Sequence, residues 1–283
     1  MPKRLLAVSL TVLAMTAFLL NILGGCKKDE ESTTVTSTAA LPEEKRSATQ
    51  RDSAFAYDIY QTYVEVVSYL GQGATVSVPS VYAGLPVASI GANAFASNTV
   101  ITRVTLPESV VNIGNCAFMD CRNLKQISMP GVRAIGVSAF RGAGLTALEL
   151  PICLQNLCQY AFSGTQISKV TLQGNIPIVG DYVFANCPNL TEVTLSSGVT
   201  EISSRMFYNC PSLVVFRVPE TIRKIGSYAF SACPALTELY IPDSVTEIGE
   251  GLLYGSDSAT VITPAGSAAQ IYCQQSSLPC REA

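Results

Sequence analysis

Seven phenylalanines punctuate the apolar pattern of the chain at intervals of 22 or 23 residues: Phe95, Phe118, Phe140, Phe162, Phe184, Phe207 and Phe230, with Leu253 in the eighth place. An Ile-Gly pair precedes many of them, at Ile90-Gly91, Ile113-Gly114, Ile135-Gly136, Ile225-Gly226 and Ile248-Gly249, with Val179-Gly180 as a variant. After the phenylalanine comes a triplet spaced L-x-x-L-x-L, as in Leu124, Ile127, Met129 or Leu236, Leu239, Ile241. Proline usually closes the triplet, at Pro107, Pro130, Pro151, Pro219 and Pro242. The x-L-x-L alternation predicts a short strand with its apolar pair turned inward. Proline ends that strand because it has no N–H to give to a ladder. The Ile-Gly and Ala-Phe pieces are expected to form turns or short helical segments on the other side, with phenylalanine filling the wide part of the wedge. One unit cannot bury its apolar face alone, whereas stacked units can. The period therefore predicts a mainly β repeat solenoid: an arc with short parallel strands on the concave face and turns or short helical segments on the convex side.

The repeats are expected over 90–262, between an N-terminal cap at 53–89 and a C-terminal cap at 263–283. Tyr63–Val67 and Thr75–Val78 read as cap strands, and Pro264–Tyr272 reads as a short covering helix. Residues 1–25 have the layout of a signal peptide: Lys3 and Arg4, then a run from Leu5 to Leu20 with only Ser9, Thr11 and Thr16 as polar breaks. Leu23-Gly24-Gly25-Cys26 resembles a bacterial lipobox, which implies cleavage before Cys26 and lipidation of its thiol. The alternative is an uncleaved span over Leu5–Leu23. Two or three acyl chains would tether the protein stably to a membrane surface. Residues 26–52 are polar and predicted to be a flexible tether. Within them Lys28-Asp29-Glu30-Glu31 resembles the acidic export signal of Bacteroidetes surface lipoproteins, or is simply a solvated charge run.

The repeat itself resembles the BspA-like, or Treponema pallidum type, leucine-rich-repeat family, and the stretch from Ile113 to Pro130 matches that motif nearly position by position. The resemblance covers about Tyr69 to Tyr272. It implies a bacterial surface protein, since characterised relatives are implicated in adhesion to host matrix proteins and in coaggregation. The sequence departs from the motif at Leu157-Cys158, at Ile202-Ser203, and at Gly174, where proline is expected.

Composition then narrows the chemistry. The chain has 283 residues, 48% hydrophobic and only 14% charged, and removal of 1–25 takes two of its 18 basic residues and none of its 21 acidic ones. The resulting net charge of −5, without a basic run, argues against a nucleic-acid partner. Histidine is absent, so Ser-His-Asp and Cys-His catalysis are excluded. No C-x-x-C pair supports a structural zinc site, the glycines follow the repeat phase rather than a phosphate loop, and no acidic pair stands out. No metal or cofactor is implied. Of the ten cysteines, Cys121, Cys187, Cys210 and Cys233 stand three residues after the phenylalanine position, which reads as a buried thiol ladder rather than a disulfide framework. Cys273 and Cys280 either remain free or close a small loop.

The outward strand positions become the candidate site: Arg103, Thr105, Gln126, Ser128, Ala147, Glu149, Lys169, Thr171, Glu192, Thr194, Val215, Arg217, Glu238 and Tyr240. They are expected to line one continuous sheet face that engages an extracellular protein or glycan, the chain being held at the outer membrane by lipid on Cys26. A periplasm-facing assembly role and a glycan-processing enzyme are the rival readings.

Overall fold

The structure, a computed structural model, describes residues 44–283. The leader, the lipobox and Cys26 lie outside the described residues. No helix among the described residues is long and apolar enough to cross a membrane. The protein is a right-through stack of short strands, numbered here in chain order. Three cap strands, β1 (Ala48–Arg51), β2 (Phe55–Ile59) and β3 (Val64–Tyr69), pair antiparallel in sequence. After β4 (Thr75–Ser77), β5 (Val81–Tyr82) and β6 (Leu85–Ile90), the chain winds as a solenoid, contributing two strands to most turns.

The concave ladder contains β4, β7 (Arg103–Thr105), β9 (Gln126–Ser128), β12 (Lys169–Leu172), β14 (Glu192–Leu195), β16 (Val215–Arg217), β18 (Glu238–Tyr240) and β20 (Thr260–Thr263). All its pairings are parallel, with homologous residues in register, as in Val104↔Ile127 and Leu239↔Val261. The expected continuous face is interrupted, however. It is three separate sheets, β4-β7-β9, β12-β14 and β16-β18-β20 with one further strand.

The Ile-Gly motif corrects a second expectation, because it ends a strand rather than making a turn. β8 (Asn112–Ile113), β10 (Ala134–Ile135), β11 (Asn156–Leu157) and β13 (Ile178–Val179) continue from β6 as a parallel ladder. β15 (Glu201–Ile202), β17 (Lys224–Ile225) and β19 (Glu247–Ile248) form its continuation. Glycine follows these strands because the backbones nearly touch there: a Cβ on Gly226 would sit 2.5 Å from Ser204 N, and one on Gly180 2.4 Å from Gln159 N. The ladder breaks between β13 and β15. Ser203 replaces glycine and sends its hydroxyl to Gly180 O at 2.6 Å, and Pro177 stands just before β13, although the N–H it lacks would face β11, as that of Gln155 faces Arg133 O. Cys158 also replaces glycine, yet its N–H still reaches Ile135 O at 3.0 Å, so the extra side chain alone does not break the ladder.

The convex side is turns, not helix. Each turn holds two left-handed residues flanking the phenylalanine, such as Tyr182 (φ 59) and Asn186 (φ 58) around Phe184. Between them the rings form one column from Phe95 to Phe230, with neighbouring centroids 4.6–6.2 Å apart and planes within 24° of parallel. Tyr69 extends the column into the cap, 5.3 Å from Phe95. Beside it runs the thiol ladder. Cys121, Cys187, Cys210 and Cys233 are buried and donate to the carbonyls of Phe95, Phe162, Phe184 and Phe207, one turn back, at 3.0–3.4 Å. Ser256 makes the same bond to Phe230 O at 2.7 Å. These cysteines therefore fill space and satisfy a carbonyl that faces the core.

Both ends depart from expectation. Part of the predicted tether is ordered: β1 lies within it, and Glu44 accepts from Gln61 and Thr62 N–H at 2.8 and 3.1 Å. At the C-terminus the helix is α1 (Ala268–Ser276), N-capped by Ser267, later than the segment expected. A short strand, β21 (Cys280–Glu282), then pairs parallel with β20 and ends the concave ladder. Cys273 and Cys280 are free thiols in hydrogen-bond contact.

One cap carboxylate makes a pH prediction. Glu65 lies opposite Asp58 in the β2–β3 register, near Tyr60 and Tyr63, while Asp58 itself is held by Arg46 at 3.2 Å. Burial, with Asp58 adding to it, pushes the Glu65 carboxyl up to about 7. The folded cap thus binds this proton more tightly than the unfolded chain, and stability falls as pH rises from about 4.5 to about 7. The loss is on the order of 3 kcal/mol. Glu65→Gln should flatten the urea midpoint across that window and raise it at pH 8; a wild-type midpoint unchanged between pH 4.5 and 8 would refute the assignment.

Candidate binding face

Concave residues follow from the strand period: in each three-residue strand the middle side chain is buried or half-buried and its neighbours face out, as in the exposed-buried-exposed pattern of β7. Two rows result. One carries Arg103, Gln126, Ala147, Lys169, Glu192, Val215 and Glu238, and the other Thr105, Ser128, Glu149, Thr171, Thr194, Arg217 and Tyr240.

The structure divides these candidates into three groups. At the centre, Lys169 Nζ and Glu192 Oε2 are paired across β12–β14 at 2.7 Å, which holds the ammonium above its usual pKa. Both side chains are well exposed, so the pair contributes little stability, but each charge already has a partner. At the C-terminal end, Arg217 lies over the Tyr240 ring at 3.5 Å from its centroid, and Tyr240 donates its hydroxyl to Glu238 at 2.9 Å. Glu238 also accepts from Arg281 on β21. Arg281 was not among the sequence candidates, since a three-residue strand after a helix leaves no periodic signal. These four side chains thus contact one another in a chain.

The N-terminal third differs. Arg103, Thr105, Gln126, Ser128, Ala147 and Glu149 line a cavity of about 400 Å³, with Ile127, Met129, Pro130, Leu150 and Pro151 among its walls. Among the described residues, neither Arg103 nor Glu149 has an ion pair or side-chain hydrogen bond. The cavity exists because one turn lacks its concave strand. Its loop Gly142-Ala143-Gly144 presses against the preceding turn, where a Cβ on Gly144 would lie 1.9 Å from Arg122 O. Gly144 N–H still bonds Cys121 O at 3.1 Å. By Thr146 the bond to Lys125 O has stretched to 3.4 Å, and Ala147–Leu150 pair with neither β9 nor β12. Ala147, the smallest side chain in its row, leaves the floor open. Thr171 and Thr194 lie outside this cavity, opposite one another in the β12–β14 register.

Among the described residues there is no cluster of three or more side chains suited to a metal ion. The arrangement offers a cation, an anion, an amide and two hydroxyls over an apolar floor, which suits recognition.

Comparison with known proteins agrees with the architecture. The family described as BspA type leucine rich repeat region matches residues 88–214 and 155–274, in six copies. A leucine rich repeat protein of Treponema pallidum is similar in structure with a TM-score of 0.61 and 30% identity, over 67% of this chain and 91% of that one. A leucine-rich repeat protein from Bacteroides ovatus superposes with a TM-score of 0.60 at 23% identity, over 76% of this chain and 70% of that one. No curated protein matches the chain.

Proposed function

The chain belongs to the BspA type leucine-rich-repeat family, and from that premise we propose that it is a binding protein that captures a protein or glycan partner on its concave face. In this reading the N-terminal lipid on Cys26 anchors it in the outer membrane, with the solenoid facing outward as an adhesin. The observation that carries the binding role is the N-terminal cavity, where Arg103 and Glu149 stand without partners while the other charged concave residues are paired among themselves. Unspent charges over an apolar floor give a ligand both orientation and buried area.

Two measurements test this reading. Beads coated with the protein are tested against a panel of extracellular-matrix proteins and bacterial polysaccharides. At least one should be retained, with affinity falling about tenfold or more in the double variant Arg103→Glu/Glu149→Lys, which corresponds to at least 1.4 kcal/mol. Lys224→Glu, on the other ladder, should leave retention unchanged. Equal retention by both variants would remove the cavity from the site. Protease shaving of intact cells, with a periplasmic protein as control, should digest the solenoid; its survival would sink the surface reading.

A further inference from the structure

The break in the concave ladder exposes backbone as well as side chains. β9 pairs with β7 along one edge and with no strand along the other, so alternate N–H and C=O groups along that second edge, those of Ile127, point towards Ala147–Leu150 without a ladder partner. Across the cavity the backbone of Ala147–Leu150 is likewise unpaired among the described residues. The ladder is also open between β14 and β16, but the β9 edge is the one that borders the cavity, and an unpaired sheet edge is a template for another extended chain.

We infer that this cavity takes an extended peptide segment of the partner, which pairs its main chain with the free edge of β9 and so completes the interrupted sheet. The inference rests on the concave-face reading above and names its ligand class. Two features favour peptide over glycan. The free groups are amide donors and acceptors at strand spacing, which is the pattern that strand addition uses. No aromatic ring lines the cavity to stack on a sugar. The flanking charges then set side-chain preference. Arg103 stands in one row and Glu149 in the other, two residues further along the strand direction, which corresponds to about 7 Å. A bound segment with an acidic and a basic residue two apart would place both on the cavity side and match both charges.

Random linear decapeptides displayed as a library can be selected on the protein and counter-selected on Arg103→Glu/Glu149→Lys. Both residues are exposed, so that variant should keep the wild-type melting curve. Selection is expected to enrich sequences with an acidic and a basic residue two apart. Their affinity should drop about tenfold or more when one inward-facing amide is N-methylated, and binding should slow hydrogen exchange at the Ile127 amide. Failure to enrich any sequence that prefers the wild type, or binders that tolerate N-methylation at every position, overturns the inference. The bead panel separates the two failures. If the double variant loses panel ligands while no peptide is selected, the concave reading stands with a non-peptide ligand. If it keeps them, the concave reading falls as well.

Discussion

Replacing Phe184 by alanine should destabilise the protein by about 3–5 kcal/mol, the largest single-residue effect anticipated in this fold. Its ring is fully buried and stands between Phe162 at 5.9 Å and Phe207 at 6.2 Å. Alanine would remove the buried area and leave a hole that neighbouring turns cannot close, because both are held by main-chain bonds such as Phe184 N–H to Met206 O at 3.1 Å. In a stack where each turn contacts only its neighbours, the gap would also weaken the coupling between the two halves. Urea denaturation should show a lower midpoint and, if coupling is lost, two transitions in place of one. Phe184→Leu should cost far less, since Leu253 fills the equivalent place one end of the column away. Equal losses for leucine and alanine would mean that ring stacking, not volume, holds the column.

The second large effect is expected at Gly144. A Cβ built there would lie 1.9 Å from the carbonyl oxygen of Arg122, and main chain cannot rotate aside as a flexible side chain can. Gly144→Ala must therefore push two turns apart beside the cavity, at a cost of about 1–3 kcal/mol or more. Gly84 supplies the comparison: it has a positive φ of 79°, which Gly144 does not, but nothing lies within 4 Å of its added Cβ. Gly84→Ala should show only the left-handed backbone penalty of about 1–2 kcal/mol. Thermal melts of the two variants decide the point, and a Gly144→Ala protein no less stable than Gly84→Ala would show that the turns yield freely.

The period made the solenoid readable from sequence, because phenylalanine, the apolar triplet and proline recur at fixed places in most turns and each has one physical task. The second ladder escaped notice for an equally physical reason. Its strands are two residues long, too short to show alternation, and their signature, Ile-Gly, looks like a turn until the close approach of neighbouring backbones explains the glycine. Outward concave positions were legible as positions. Which of them are already paired was not, since Lys169 with Glu192 and Arg217 with Tyr240 meet only when the turns stack. The cavity leaves no mark in the period: Phe140 and Leu145 are five residues apart, but so are Phe162 and Ile167, and that turn forms β12. Strands β1 and β21 were missed because short polar strands take their stability from the edge that they join, here β2 and β20, and not from their own sequence.

The thiol ladder has a consequence for how the protein matures. Once stacked, Cys121, Cys187 and Cys233 are shielded, with burial pushing each thiol up to about 11, so almost no thiolate is present to react at neutral pH. Before stacking, the same side chains are ordinary accessible cysteines spaced 23 residues apart from Cys187 to Cys233. In an oxidising compartment, correct assembly is then a race between closure of the turns and mispairing of cysteines in the open chain. Fast zippering from an already formed turn protects each thiol as it is covered, whereas a stalled intermediate leaves the remaining ones open to scrambling.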